Sequence, residues 1–102
     1  MKLEKLKTKT NLELPSVCDA YQAEPLKTQL LDALDHKKPL TIKAANVTQA
    51  DTQCLQTLLA GKLAFQASEI KFELVDASST FQRALERTGL HTHFNAPETE
   101  DK

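Results

Sequence analysis

The stretch Leu40–Gln66, LTIKAANVTQADTQCLQTLLAGKLAFQ, decides how the rest of the chain is read. Leu40, Ile42 and Ala44 alternate with Thr41 and Lys43, the period-2 pattern of a strand with one wet face. After the polar turn TQAD, Leu55, Leu58, Leu59 and Leu63 recur at helical spacing and predict one apolar stripe. Two capping arrangements fit the junction. Thr48 with Asp51 makes a capping box, or Asp51 is itself the N-cap and Thr52 the first helical residue. Both put Thr52 in the first turn, where unpaired backbone N–H groups and the positive end of the helix dipole favour negative charge. A phosphate on Thr52 would be well placed there. The plainer reading is that Thr and Asp only cap a helix.

On the N-terminal side, Lys and Thr alternate around Leu3 and Leu6 over residues 2–10, which reads as a lead-in or an edge strand whose lysines discourage edge-to-edge pairing. Leu12 and Leu14 alternate with polar neighbours until Pro15 and Ser16 interrupt them, and Val17–Tyr21 reads as a second short strand, antiparallel to the first. Glu24-Pro25 marks a helix start, because proline is tolerated where the N–H has no partner. Leu26, Leu30, Ala33 and Leu34 then form the apolar face, with Leu31 beside it. The helix is expected to stop at His36-Lys37-Lys38-Pro39, with His36 a solvated residue of its last turn.

On the C-terminal side, Gly61 costs its helix about 1 kcal/mol relative to Ala. With Ala60 beside it, this suggests a close approach by another element. Ile70, Phe72 and Leu74 alternate with Lys71, Glu73 and Val75 as a further strand. Ser79 with Gln82 fits a capping box for a last helix, in which Phe81, Ala84 and Leu85 face inward and Gly89 serves as a left-handed C-cap. The polar tail after Phe94 is expected to be disordered.

The order strands, helix, strand, helix, strand, helix implies βαβ crossovers and parallel strands in the second half. A sheet covered on both faces would have near-continuous apolar strands, whereas these alternate. The expected fold is α/β: a small single-domain mixed sheet of about four to five strands, with three helices largely on one face. Residues 1–10 form the lead-in or edge strand, 11–94 the domain, and 95–102 the acidic tail.

At 102 residues and a net charge of −1, the chain can bury a core but carries no field that would recruit nucleic acid or an anionic membrane. No apolar run approaches the roughly 20 residues of a membrane span, and no apolar stretch of a secretory signal follows the basic N-terminus. Cys18 and Cys54 suit buried free thiols of a cytoplasmic protein. Cys54 near a helix start would be reactive if its thiolate were favoured, but Leu58 one turn on places it beside the apolar stripe as a packed thiol. With only Gly61 and Gly89 there is no Gly-rich phosphate loop. His91 and His93 lack the companion ligands of a metal site, and nothing marks a nucleophile elbow. No cofactor, no metal and no catalytic constellation are expected.

VTQADTQCLQTLL at Val47–Leu59 resembles the strand end and Asp-Ser-Ser-Gly-Leu signature of STAS domains, the module of anti-sigma factor antagonists and of some transporter-associated proteins. DASSTFQRALERTGL at Asp76–Leu90 is similar to the family's closing turn and helix with its terminal Gly-Leu. The resemblance covers residues 11–94 and implies a mixed sheet with helices largely on one side. In the sporulation-type antagonists, a partner kinase phosphorylates a serine of the signature, usually the second. Here Asp51 matches the aspartate, Thr52 the first serine, Gln53 the second and Cys54 the glycine. Gln53 cannot accept a phosphoryl group, so the resemblance leaves Thr52 as the candidate acceptor, or the site as a constitutive docking surface. The D-T-x-x-L-Q pattern also resembles STAS proteins of bacterial chemosensory systems, and Asp-Thr occurs in those serving ATP-driven lipid transporters.

The resemblance therefore implies a non-catalytic, cytoplasmic regulatory module. It would dock an anti-sigma or histidine-kinase-like ATPase, or a chemosensory component, through residues 47–58, with Thr48, Asp51, Thr52, Gln53, Leu55 and Gln56 as contacts. The alternative is a STAS subunit constitutively bound to the ATPase subunit of a lipid transporter. Neither reading involves nucleic acid or direct membrane insertion. Ser78, Ser79 and Thr80 are hydroxyl residues at another helix start, and only the resemblance ranks Thr52 above them.

Overall fold

The computed structural model describes residues 1–94; the expected disordered tail lies outside the described residues. Strands β1 (Lys2–Lys5), β2 (Thr10–Glu13), β4 (Leu40–Lys43) and β6 (Phe72–Val75) form a four-stranded sheet in the order β1-β2-β4-β6. A separate two-stranded sheet joins β3 (Val17–Cys18) to β5 (Gln49–Ala50). Helices α1 (Ala20–His36), α2 (Thr52–Ala67) and α3 (Ser79–Thr88) are the crossovers and closing element. β1 is antiparallel to β2, while β2, β4 and β6 are mutually parallel, so the sheet is mixed as expected.

The register explains the alternation in the sequence. Leu3, Leu12, Ile42 and Leu74 stand side by side across the strands on the covered face. Leu12 and Ile42 have no exposed surface, and each such side chain contributes about 1.5–3 kcal/mol. Glu13 and Lys43, one residue on, are paired in register and exposed on the other face. Cross-element hydrogen bonds tie this frame together, including Lys5 Nζ to Asp32 Oδ1 at 2.8 Å and Asn46 Nδ2 to Glu13 Oε2 at 2.8 Å.

Several local expectations are corrected. Val17–Tyr21 is not an antiparallel strand: β3 ends at Cys18 and runs parallel to β5, because Asp19 caps α1 and takes Ala20 and Tyr21 into the helix. The Asp19 carboxylate accepts from the Tyr21 N–H at 3.1 Å. Helix α1 therefore starts before Glu24-Pro25 and carries Pro25 inside it, on an exposed position. His36 is not merely solvated, since its Nε2 lies 3.1 Å from the Leu6 carbonyl oxygen. On α2, the buried side chains are Cys54, Leu55, Leu58, Lys62 and Phe65, while Leu63 is half exposed. Lys62 reaches the rim, where its ammonium lies 5.9 Å from the centre of the Phe94 ring. The cap of α3 is Ser78 rather than Ser79, and the Gln82 amide donates to the Ala77 carbonyl instead of closing a capping box. Gly89 is the left-handed C-cap, and the Leu90 N–H returns to the Leu85 carbonyl at 2.9 Å.

The close approach at Gly61 is real. A Cβ there would stand 2.8 Å from Leu30 Cδ1 of α1, so the absent side chain is what lets the two helices meet. The expectation of free thiols is corrected as well: Cys18 and Cys54 are buried but joined in a disulfide, with Cα atoms 6.0 Å apart. The parallel register Cys18↔Ala50 places the first turn of α2 beside β3, and this brings together two cysteines separated by 36 residues in sequence.

Candidate functional site

Of the two capping arrangements, the second is observed. Asp51 is the N-cap of α2 and Thr52 is its first residue. Asp51 lies in extended conformation and its carboxylate accepts no cap hydrogen bond, so the early N–H groups of α2 are not satisfied by that side chain. Its own N–H donates to the Cys18 carbonyl at 2.9 Å, which pins the start of α2 to β3. Upstream, the Thr48 N–H and hydroxyl both donate to the Ser16 carbonyl, at 2.7 and 3.1 Å.

Thr48, Thr52, Gln53 and Gln56 are exposed and Asp51 is partly so. The fold thus brings these residues of the expected contact set to the surface around one helix start. Leu55 is different: it has no exposed surface and packs in the core, where it supports the site from beneath. Val47 is also buried, and its carbonyl accepts from the Ser78 hydroxyl at 2.7 Å, coupling the start of α3 to the loop before β5. The Ser78 oxygen accepts in turn from the Phe81 N–H at 3.1 Å. That hydroxyl is committed to structure, whereas Thr52 faces solvent.

Beside the site, α1 and α2 border a groove of about 460 Å³ whose walls include Lys27, Leu31, Gln53, Gln56, Ala60 and Gly61. Leu31 and Leu63 are 55% and 51% exposed, so the helix side carries apolar surface as well as polar. Among the described residues, no group of three or more His, Cys, Asp or Glu could hold a metal ion; His91 and His93 lie in a helical turn over 91–94. No helix among the described residues is long and apolar enough to cross a membrane.

The family model described as "Mlab, STAS domain" matches residues 1–95. The chain belongs to the STAS domain family. The fold of this STAS domain is shared with a crystal structure from Thermotoga maritima of a protein described as a candidate anti-sigma factor antagonist. The two align with a TM-score of 0.76 and 18% identity, over 91% of this chain and 81% of that one. No curated protein matches the chain. Three features near the site escape the motif reading: the cap at Asp19, the Ser78–Val47 tie and the Cys18–Cys54 bond. Asp19 followed by helix-forming residues was a usable signal for the first. The second and third are long-range contacts with no local sequence signature.

Proposed function

We propose that this STAS domain is a non-catalytic, cytoplasmic regulatory module. It docks a protein partner through the surface formed by Thr48, Asp51, Thr52, Gln53 and Gln56 over a base that includes Leu55. The partner is a histidine-kinase-like or anti-sigma ATPase, or a chemosensory component. The observation that carries this reading is the exposed hydroxyl residue Thr52 at the first position of α2, preceded by a cap whose carboxylate leaves the helix N–H groups unclaimed. Phosphorylation of Thr52 would add roughly −1.5 to −2 charges at that point. The backbone donors of α2 would stabilise the modified free protein, while repulsion and desolvation would weaken a tight interface. Ser78 is a poorer acceptor because its hydroxyl already holds the α3 cap and the Val47 carbonyl.

A second reading, as the STAS subunit of an ATP-driven lipid transporter, is favoured by the groove between α1 and α2 and by the exposed Leu31 and Leu63. A constitutive subunit interface is large and apolar. Pull-down from the native host with wild type, Thr52→Ala and Thr52→Glu, read by mass spectrometry, separates the two. The switch predicts a kinase-like partner kept by Thr52→Ala and lost with Thr52→Glu. An ATPase or permease subunit retained by all three would replace it with the transporter reading.

A further inference from the structure

The Cys18–Cys54 bond lies where the two longest helices begin. Cys18 directly precedes Asp19, the cap of α1, and Cys54 is the third residue of α2, two positions beyond Thr52. Few other hydrogen bonds cross this junction. β3 and β5 contribute two residues each, and the added ties are the Thr48, Gln49 and Asp51 N–H groups and the Thr48 hydroxyl donating to Ser16 and Cys18 carbonyls, with Ala50 and Leu55 packed in the core beside them. Both cysteines are fully buried, while Ser16 and Val17 before Cys18 and Thr48 and Gln49 opposite them in the short ladder are exposed. Opening so short a ladder is a local event rather than global unfolding, and it admits a reductant to the sulfurs.

We propose that Cys18–Cys54 is a dithiol–disulfide switch that sets how firmly the start of α2 is held. In the cytoplasm proposed above, cysteine pairs that oxidise are mostly redox-responsive rather than permanent staples. In the reductive step, a thiolate of an external dithiol attacks Sγ of Cys18 and forms a mixed disulfide, while Cys54 leaves as a thiolate at the positive end of α2. The second thiol of the reductant attacks its own sulfur in that mixed disulfide and releases the Cys18 thiolate. The reductant ends as a disulfide, two electrons have passed to the protein, and the cysteines regain protons from solvent. A disulfide oxidant reverses the sequence. In the reduced form, β3 and the first turn of α2 keep the short ladder, the Thr48 hydroxyl bond and their core packing but lose the covalent link. A partner that recognises the ordered face then binds the oxidised form better, a consequence that rests on the docking role proposed for Thr52.

Hydrogen exchange read by mass spectrometry tests the switch on the full chain. Oxidised protein is compared with protein treated with dithiothreitol without denaturant and with Cys54→Ala. Peptides spanning 16–19 and 48–55 should exchange on the order of tenfold faster after reduction. At labelling times too short for global opening to contribute, peptides spanning 26–33 and 40–43 should be unchanged, and oxidised glutathione should restore the first pattern. Cys54→Ala should match the reduced protein with or without dithiothreitol; if it does not fold, the reduced wild type alone carries the comparison. Unaltered exchange at 48–55, a rise across the whole chain at those short labelling times, or a bond that neither forms nor yields without denaturant overturns the proposal. If exchange responds as expected but oxidised and reduced baits capture the same partners equally, the switch stands and the docking face lies elsewhere.

Discussion

At Ser78, one hydroxyl makes two bonds, donating to the Val47 carbonyl and accepting from the Phe81 N–H. Ser78→Ala should therefore cost about 1–2 kcal/mol, read as a lower urea midpoint with an unchanged slope. Gly61 answers to a different constraint. Gly61→Val would place branched carbons against Leu30, where even a Cβ stands 2.8 Å from Cδ1. The expected loss is about 1–3 kcal/mol by thermal or urea unfolding, despite leaving the low helix propensity of glycine behind. Both residues were visible in the sequence to different degrees. The small pair Ala60-Gly61 announced a close approach without naming Leu30. The run Ser78-Ser79 offered two hydroxyls one residue apart, and S-x-x-Q spacing selected the wrong one because Gln82 turns back to the Ala77 carbonyl.

Pro25 shows how a single strong signal displaces an element boundary. Proline is favoured at the first helical position, and that preference hid the earlier start set by Asp19. Inside α1, Pro25 has no N–H to donate to the preceding turn. Pro25→Ala on this exposed position should raise stability by about 2 kcal/mol, the gain in the helix being offset in part by a freer unfolded chain. Differential scanning calorimetry checks it, and an unchanged or lower Tm would show that the helix already accommodates the ring. The longer elements were legible because burial on one side imposes a period on four or more residues. β3 and β5, with two residues each, are too short to carry a period, and their parallel pairing was accordingly unreadable. The stripe of α2 was displaced for another reason: Lys62 can bury its stem and Leu63 can be left half exposed, a reversal that residue hydrophobicity does not encode.

For the whole molecule, the disulfide closes a loop spanning 36 residues of sequence that contains α1 and β4. Reduction should lower global stability by about 4 kcal/mol while leaving the chain folded, measured as the shift in urea midpoint with and without dithiothreitol. Nothing in residues 18 and 54 alone announced the pair; it follows from the parallel alignment of Cys18 with Ala50. The one-sided arrangement of helices, by contrast, was written in the alternation of Leu40–Lys43 and follows from the same register that aligns Leu12 with Ile42. The row on the opposite side, where Asn11 stands by Thr41 and Glu13 by Lys43, leaves the molecule with a wet back plate. The start of α2, where Thr52 lies, takes no part in this row. The protein could then be mounted on a surface at Lys43 with its helix side turned to solution, or carry a fused neighbour there without covering Thr52.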